Sequence, residues 1–325
     1  MEILTDSEAL NIRALDCDRH ATRAYRHMAA LPHRYAVHCR NDKRREQFTV
    51  HAKLVILGGG TVGTAKLLLR SQEHLPLLGK HVGKNITSNG SVKIAGLLPE
   101  GFIDGDMLSG RSHPGMISYE FLETMGLTIS CAKPLPLQLL TAARIKLEGD
   151  TRQPAYWGEA NVALMKLYRR RMIILYALGL TPPRAEIRRK GSSDFEVHLD
   201  LDDDLRGYHR RTKGLLQSIL QHSGCRMLND RPLDREGREY DDLHFSTTHM
   251  TGSCRMADHK RYGVVDAYGE VFDYPGIYVT DGAAIPTSLA VNSSLTILAN
   301  AERIAAHLVK RYARDRSEAP ARVAE

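Results

Sequence analysis

The sequence predicts an α/β protein in which a parallel-sheet unit is divided in two by an antiparallel-sheet module. Residues 54–57 (L-V-I-L) form a short apolar run that ends in three glycines and leads into a helical pattern, which is typical of a buried parallel strand. Apolar and polar residues alternate over 195–201, which is typical of a half-buried antiparallel strand. Because the parallel-sheet pattern returns near the C-terminus, we expect three segments, at residues 1–77, 78–240 and 241–325.

The composition is that of a globular protein. The 325 residues are 42% hydrophobic, which suffices for a sizeable buried core. The most apolar run, residues 172–180, is far shorter than the roughly 20 residues of a membrane-crossing helix, so we expect no transmembrane segment. The first ten residues have neither the basic head nor the apolar core of a signal peptide. Five scattered cysteines without a C-x-x-C pair favour a reduced, cytoplasmic setting and no metal site.

The formal net charge of +7 raises the question of an anionic partner. The basic residues are spread along the chain, and the short clusters at 169–171 and 188–190 are offset by the acidic run at 202–204. No aromatic residues are interleaved with these clusters in the manner that base stacking requires. We therefore predict solvated charged faces and no nucleic-acid partner.

The first and last segments follow a strand–turn–helix pattern. Residues 34–40 and 48–53 read as extended strands joined by the charged turn N-D-K-R-R-E, and the glycines after the next strand lead into a helix over 64–70. Near the C-terminus, residues 277–279 predict a strand and residues 296–312 a helix with apolar residues at helical spacing. In an open α/β sheet, turns of this kind face a ligand.

The middle segment has a different character, with frequent Gly and Pro and with strands that alternate with one or two helices. Besides the alternating strand at 195–201, residues 208–223 predict a helix that carries Leu215, Leu216 and Leu220 on one side. We interpret this segment as an antiparallel sheet with helices.

Residues 58–63, G-G-G-T-V-G, satisfy the G-x-G-x-x-G pattern directly after a strand. Such a turn lets the backbone approach a pyrophosphate at a helix N-terminus. A dinucleotide-binding site of this kind also needs an acidic residue at the end of a second strand, about 20 residues after the glycines. The window at that distance, S-Q-E-H-L-P-L-L-G-K-H-V-G-K, contains no strand that ends in Asp or Glu. An NAD(P)-dependent dehydrogenase that uses residues 58–63 stays an alternative, as does a tight turn without a ligand.

Two side chains suit the oxidation of an alcohol. His249 precedes the small-residue turn T-G-S-C, and its imidazole titrates near neutral pH, so it can accept a hydroxyl proton. Asn292 stands just ahead of the last predicted helix, and its amide can hold a substrate oxygen without competing for the proton. Asn is also a favoured helix N-cap, and that role stays open beside the first.

Asp281 and Gly282 directly follow the predicted strand near the C-terminus. A carboxylate at the end of a strand can accept hydrogen bonds from sugar-like hydroxyls, while Gly permits close approach of a ligand. The backbone N–H groups of Ser293 and Ser294, at the start of the last helix, could polarise a ligand oxygen. Cys254 has no evident basic partner, so we interpret it as a small packed residue.

In this order, the parts resemble the flavin end of the glucose-methanol-choline (GMC) oxidoreductases. The stretch L-V-I-L-G-G-G-T-V-G-T-A-K-L-L-L-R-S is similar to the second signature of that family, and residues 245–312 resemble its C-terminal stretch. The resemblance implies FAD as the cofactor and hydride transfer from the CH–OH group of an alcohol to flavin N5. It also implies part of a Rossmann-like FAD/NAD(P)-binding domain with an antiparallel-sheet (α+β) substrate domain.

The resemblance further implies that His249 and Asn292 form a catalytic pair facing the flavin, in the version found in the cholesterol oxidase and long-chain alcohol oxidase branch. The flavin contacts that it implies are Gly59, Gly60, Thr61, Val62, Asp281, Gly282, Ser293 and Ser294. The substrate is then a small-molecule alcohol, and the apolar residues 134–140 hint that it is lipophilic. Whether the enzyme is an oxidase or a dehydrogenase stays open.

The chain also departs from the GMC pattern. Ala65, Ser293 and Ala257 stand where the family usually has Pro, Pro and Gly. The resemblance places an N-terminal βαβ unit with a pyrophosphate-binding glycine loop ahead of these motifs, and this sequence lacks it. We therefore expect a truncated or split member that holds FAD weakly alone and is complemented by an N-terminal FAD-binding chain. A non-catalytic remnant of the fold is the remaining alternative.

Overall fold

A computed structural model describes residues 2–15, 34–102, 106, 116–132, 157–191, 194–228 and 247–313. The apolar segment at 134–140, which suggested a lipophilic substrate, lies outside the described residues. The strands are β1 (Ser7–Ala14), β2 (Tyr35–Asn41), β3 (Glu46–Ala52), β4 (Val55–Leu57), β5 (Val92–Leu97), β6 (Ile117–Ser118), β7 (Leu127–Ala132), β8 (Met172–Gly179), β9 (Ala185–Lys190), β10 (Asp194–Leu199), β11 (Arg226–Leu228) and β12 (Ile277–Val279). The helices are α1 (Gly60–Arg70), α2 (Leu122–Met125), α3 (Gly158–Arg171), α4 (Asp203–His222) and α5 (Ser294–Ala313).

The N-terminal strands form a three-stranded antiparallel sheet in the order β1-β2-β3. Strands β2 and β3 confirm the two extended segments predicted on either side of the charged turn. Ser71, which follows α1, fixes this sheet to the helix, because its hydroxyl accepts a hydrogen bond of 2.9 Å from the backbone N–H of the buried Ile12.

Strands β4 and β12 pair in parallel over their three residues, and each is followed by a helix, α1 or α5. This is the predicted strand–turn–helix arrangement. Helix α1 begins at residue 60, four residues earlier than the sequence indicates, and α5 begins at 294 rather than 296. The buried side chains of Val55, Leu57, Ala65, Leu68 and Val279 belong to one apolar core between these elements.

The middle segment forms a five-stranded antiparallel sheet in the order β11-β5-β8-β7-β6. The apolar run at 172–180 is its central strand, β8. Leu216 and Leu220 of α4 pack on one face of this sheet, and Met165 and Tyr168 of α3 pack beside its β5–β8 end. Within the described part of the chain, no helix is long and apolar enough to cross a bilayer.

Helix α4 begins at residue 203, five residues before the predicted start, because of a local cap. The Asp202 side chain accepts a hydrogen bond of 2.9 Å from the backbone N–H of Leu205, which satisfies one of the unpaired N–H groups of the first turn. Asp202 also forms an ion pair with Arg184. Both contacts lower the pKa of Asp202, the backbone hydrogen bond more than the ion pair.

The hairpin β9–β10 confirms the predicted strand near residues 195–201. Its buried residues Ile187 and Phe195 belong to the same apolar cluster as Leu68 of α1 and Val279 of β12. The hairpin therefore joins the core of the parallel pair. The division at residues 77/78 and 240/241 stays a prediction.

Candidate functional site

The carboxyl ends of β4 and β12 lie side by side. Because the strands are parallel, the backbone N–H of Thr280 donates to the carbonyl of Leu57 at 3.0 Å, which brings Asp281 next to the glycines at 58–60. One oxygen of Asp281 accepts hydrogen bonds from the backbone N–H of Gly60 (2.8 Å) and the hydroxyl of Thr64 (2.5 Å). The other accepts from the backbone N–H of Ala283 at 2.8 Å.

Asp281 thus places a carboxylate at the positive end of α1. That end of a helix favours a negative charge, and the Asp281–Gly60 bond explains why α1 begins earlier than predicted. A pyrophosphate bound in the G-x-G-x-x-G manner would need the same place. The arrangement therefore disfavours the alternative of an independent nicotinamide site at residues 58–63.

Gly282 is the point where three segments meet. A Cβ atom added there would lie 3.0 Å from Thr61 Oγ1 of α1, 3.2 Å from Ile297 Cδ1 of α5 and 3.3 Å from the carbonyl oxygen of Met250. Thr61 Oγ1 also donates to the Met250 carbonyl at 2.5 Å. The residue after His249 is thereby fixed between the starts of the two helices.

The turn after His249 is fixed by backbone contacts to the segment after β12. The N–H of Gly252 donates to the carbonyl of Gly282 at 3.1 Å, and that of Cys254 donates to the carbonyl of Ala283 at 2.9 Å. Gly252 has φ +99°, and a Cβ there would lie 2.3 Å from the carbonyl oxygen of Asn85, so only glycine fits. The half-buried His249 donates its own backbone N–H to the Thr247 hydroxyl at 3.0 Å.

Cys254 is fully buried in this turn. Burial, with a smaller contribution from the Asp281 carboxylate, raises its pKa to about 12. The thiol therefore stays protonated at neutral pH and is unsuited to nucleophilic attack. This agrees with its interpretation as a packed residue.

Asn292 is not the N-cap of α5. The backbone N–H of Ile297 donates to the carbonyl of Ser293 at 2.9 Å, so Ser293 occupies the cap position and Asn292 precedes it. The Asn292 side chain instead contacts Tyr176 of β8, whose hydroxyl oxygen lies 3.3 Å from Oδ1 and 3.2 Å from Nδ2. The carboxamide is thus directed toward the five-stranded sheet and is free of a capping role.

A buried asparagine that the sequence did not single out holds the segment before Asn292. Asn89 Oδ1 accepts from the backbone N–H groups of Leu289 (2.7 Å) and Ala290 (3.0 Å), and its Nδ2 donates to the carbonyl of Val291 at 2.7 Å. Ala290 has φ +54°, a strained conformation for a residue with a Cβ, which these contacts stabilise.

Two further residues of this region were missed. Thr128 of β7 donates its hydroxyl to the carbonyl of Ala290 at 2.5 Å, and Tyr176 contacts Asn292 as described. Neither Asn89 nor Thr128 belongs to a recognisable motif. Tyr176 had one available signal, a lone hydroxyl within an otherwise apolar strand, since a buried tyrosine usually finds a hydrogen-bond partner.

The two predicted catalytic segments are both attached to residues 87–89. The backbone N–H of Thr87 donates to the carbonyl of Thr251 at 3.0 Å, two residues after His249, while Asn89 binds the segment that leads to Asn292. The hydroxyl of Thr251 also donates to the carbonyl of Thr287 at 3.0 Å. The structure thus brings the segments together, and the facing of the two side chains across a cofactor stays a prediction.

A family model described as GMC oxidoreductase matches residues 196–301. The match contains the His249 turn, Asp281 with Gly282, and Asn292. Residues 196–301 therefore resemble the C-terminal domain of the GMC oxidoreductases. The resemblance that the motifs indicate is therefore confirmed.

Curated relatives agree with that resemblance. Cholesterol oxidase of Mycobacterium tuberculosis (strain CDC 1551 / Oshkosh) is 49% identical over 59 residues, which cover 18% of this chain and 10% of the relative. Long-chain-alcohol oxidase FAO3 of Arabidopsis thaliana is 20% identical over 300 residues, which cover 83% of this chain and 38% of the relative. The chain thus spans well under half of the length of these relatives.

Solved structures show the fold. The crystal structure of pyridoxine 4-oxidase from Mesorbium loti superimposes with a TM-score of 0.56 at 16% identity, over 93% of this chain and 57% of that chain. At this identity the likeness concerns the fold alone. Together with the parallel pair and the antiparallel sheets, it confirms the predicted α/β fold class.

The GMC family implies FAD, and the predicted contacts can be compared with the geometry. Gly58 and Gly60 face open space, since a Cβ on either would meet no atom within 4 Å, and Gly60 has φ +74°. The first-turn N–H groups of the 20-residue helix α5 lie beside the exposed Ser294 and can attract a partial negative charge. These positions fit a flavin. The polar side-chain atoms of Thr61 and Asp281 already have partners inside the chain.

Proposed function

We propose that this chain is the catalytic C-terminal part of an FAD-dependent oxidoreductase that oxidises the CH–OH group of an alcohol. The observation that carries the proposal is the convergence at Gly282 of α1, α5 and the segment of His249, which are the three parts predicted to surround the flavin. The GMC match over residues 196–301 supports it.

When bound, FAD supplies the hydride acceptor of this chemistry. In this proposal the turn at Gly59 and Gly60, which is open at Gly60, packs against the flavin through its backbone together with Thr61 and Val62 of α1. Asp281 and Gly282 complete the edge formed by the two strands. Flavin binding requires little rearrangement of this edge, because three hydrogen bonds already fix Asp281. The N–H groups at Ser293 and Ser294 bind a flavin oxygen at the positive end of α5.

His249 accepts the substrate hydroxyl proton at its imidazole. Removal of a hydride from carbon makes the hydroxyl strongly acidic, so a base in hydrogen-bond reach lowers the barrier. His249 is half-buried, and its segment is held by Thr61 and by the Gly252–Gly282 contact. The imidazole is thereby carried on a fixed turn, which limits the entropy lost in the transition state.

Asn292 orients the oxygen that is being oxidised. Its carboxamide is uncharged, so it can donate a hydrogen bond to that oxygen without removing the proton that His249 must take. The segment before Asn292 is held by Asn89 and Thr128, which sets the amide at a defined position.

The substrate that we propose is a small-molecule alcohol with a lipophilic body. Relatives named cholesterol oxidase and long-chain-alcohol oxidase support this class. The scattered cysteines, of which Cys39, Cys131, Cys225 and Cys254 are free, support a reduced, cytoplasmic setting.

A complementing FAD-binding chain is the proposed partner. The chain covers 57% of the pyridoxine 4-oxidase structure and 38% of the long-chain-alcohol oxidase, which leaves room for a further unit in the whole protein. Ile56, in the middle of β4, is 56% exposed, an unusual state for an apolar residue of a parallel strand. Such a unit would cover it.

The experiment is a flavin titration of the purified chain, alone and coexpressed with any glycine-loop unit encoded next to it. We expect weak binding alone, a yellow complex with the partner, and reduction of an electron-accepting dye that requires a long-chain alcohol or a sterol. Saturable NADH binding without flavin binding would instead support a nicotinamide enzyme. If the flavin-loaded complex turns over no substrate, the result would support the alternative that the chain is a non-catalytic remnant of the fold.

A further inference from the structure

Tyr176 occupies the centre of the five-stranded sheet, on β8 between β5 and β7, and is 6% exposed. Its neighbours along the strand, Leu175 and Ala177, belong to the apolar cluster beneath α4. Successive side chains of a strand point to opposite faces, so Tyr176 points away from α4. Its hydroxyl there meets the side chain of Asn292.

The contact admits two hydrogen-bond arrangements. The hydroxyl oxygen of Tyr176 lies 3.3 Å from Oδ1 and 3.2 Å from Nδ2 of Asn292. A hydroxyl carries one hydrogen, so it either donates to Oδ1 or accepts from Nδ2 in a good geometry. Donation leaves both N–H hydrogens of Asn292 for another partner, whereas acceptance uses one of them and leaves the amide carbonyl without a donor.

The proposed reaction distinguishes the two arrangements. As His249 takes the hydroxyl proton, the substrate oxygen gains negative charge before it becomes a carbonyl. An N–H group stabilises that charge, and an amide carbonyl in the same place would repel it. Asn292 therefore has to present Nδ2 to the oxygen.

We propose that Tyr176 is a positioning residue, which donates its hydroxyl hydrogen to Oδ1 of Asn292 and so directs Nδ2 toward the substrate oxygen. This inference rests on the proposed function. No bond to Tyr176 is made or broken in the reaction, since the substrate proton goes to His249.

The backbone near Asn292 does not depend on Tyr176. Asn89 and Thr128 hold residues 289–291 through four hydrogen bonds of their own. Removal of one hydroxyl at Tyr176 should therefore change the orientation of the Asn292 amide and leave the path of the chain intact. A purely structural residue would not show this separation.

The test compares Tyr176→Phe with Tyr35→Phe. Tyr35 is a matched control, because it is fully buried and donates its hydroxyl to the carbonyl of Pro275 at 2.9 Å, in the N-terminal sheet. The first measurement uses the flavin-free, isotope-labelled full chain and records the Asn292 side-chain amide signals by NMR, assigned by their loss in Asn292→Asp. We expect these signals to shift in Tyr176→Phe alone, with the backbone signals of Leu289 and Ala290 unmoved.

The second measurement uses the flavin-loaded enzyme. We expect kcat of Tyr176→Phe to fall roughly 10- to 100-fold with KM changed by less than about twofold, and Tyr35→Phe to match the wild type. Unshifted Asn292 signals, moved Leu289 and Ala290 signals, or an unchanged kcat would each overturn the positioning role. If the Asn292 signals shift but the wild-type enzyme oxidises no alcohol, the result supports the Tyr176–Asn292 hydrogen bond and contradicts the proposed function.

Discussion

The edge formed by β4 and β12 and the five-stranded sheet are stabilised in different ways. At the edge, buried polar contacts join residues far apart in the chain, such as Thr64 and Asp281, 217 residues apart. In the five-stranded sheet, alternating apolar residues pack beneath α4. The first region has fixed polar groups and open glycines, and the second has a continuous apolar core. Chemistry is therefore expected at the edge, with the sheet as its support.

The largest effect that separates the two regions is expected from His249→Ala. Loss of a general base costs roughly 10²- to 10⁴-fold in kcat, whereas the exposed His222 at the end of α4 should tolerate alanine without loss of turnover. The measurement is alcohol-dependent dye reduction by the flavin-loaded enzyme. Equal turnover of His249→Ala and the wild type would remove the histidine from the mechanism.

A second comparison sets Asp281→Ala against Leu216→Ala. The first leaves the half-buried donor of Gly60 and the buried donors of Thr64 and Ala283 without their acceptor, for a cost of about 3 kcal/mol in the free energy of unfolding. The second opens a cavity beneath the sheet at a similar cost of about 2–5 kcal/mol. Urea denaturation gives both values.

Flavin affinity distinguishes these two variants. Measured under conditions where each is fully folded, it should fall only in Asp281→Ala, because the fully buried Leu216 lies in the apolar core beneath the sheet. An equal loss in both variants would mean that the edge has no special role in binding the cofactor.

The next smaller effect compares two glycines, for which substitution by alanine should change the free energy of unfolding in opposite directions. Gly282→Ala forces Thr61, Ile297 or the Met250 carbonyl to move, at about 1–3 kcal/mol of the free energy of unfolding. Gly214→Ala in α4 meets no atom within 4 Å and should stabilise by about 0.5–1 kcal/mol. Thermal unfolding of both variants checks the signs. A neutral Gly282→Ala would show that the three segments are loosely packed.

The smallest effect is the pH dependence of the α4 cap. The pKa of Asp202 is lowered in the folded chain by its hydrogen bond from Leu205 and its ion pair with Arg184. Its contribution to stability is therefore present above the unfolded pKa and is lost as the pH falls through the folded value. Asp202→Asn should unfold at lower urea than the wild type at pH 7, and the two should converge at acid pH. A constant difference at both pH values would assign the effect to another cause.

Sequence patterns predicted the elements of the edge more completely than its contacts. The strands β4 and β12 and both helices follow from apolar runs and helical spacing, and His249, Asp281 and Asn292 follow from the family resemblance. The start of α1 was placed too late because its cap, Asp281, comes from the other end of the chain.

Residues that act through tertiary contacts stayed hidden for the same reason. Asn89 stands in the segment S-N-G-S, which suggests only a turn, and Tyr176 stands in an apolar strand. Their partners near Asn292 lie 202 and 116 residues away. Local periodicity carries no information on pairings of that separation.

The distance between Gly60 and Asp281 along the chain also bears on biosynthesis. During translation, Gly60 at the start of α1 leaves the ribosome 221 residues before Asp281, the aspartate that caps the helix. Strand β12, the partner of β4, emerges only just before that aspartate. At about 5–20 residues per second, the start of α1 waits roughly 10–40 seconds for this aspartate. Until then the N–H group of Gly60 lacks its carboxylate acceptor, while Ala65 and Leu68 can already pack against Ile12 and Tyr35 of the N-terminal sheet.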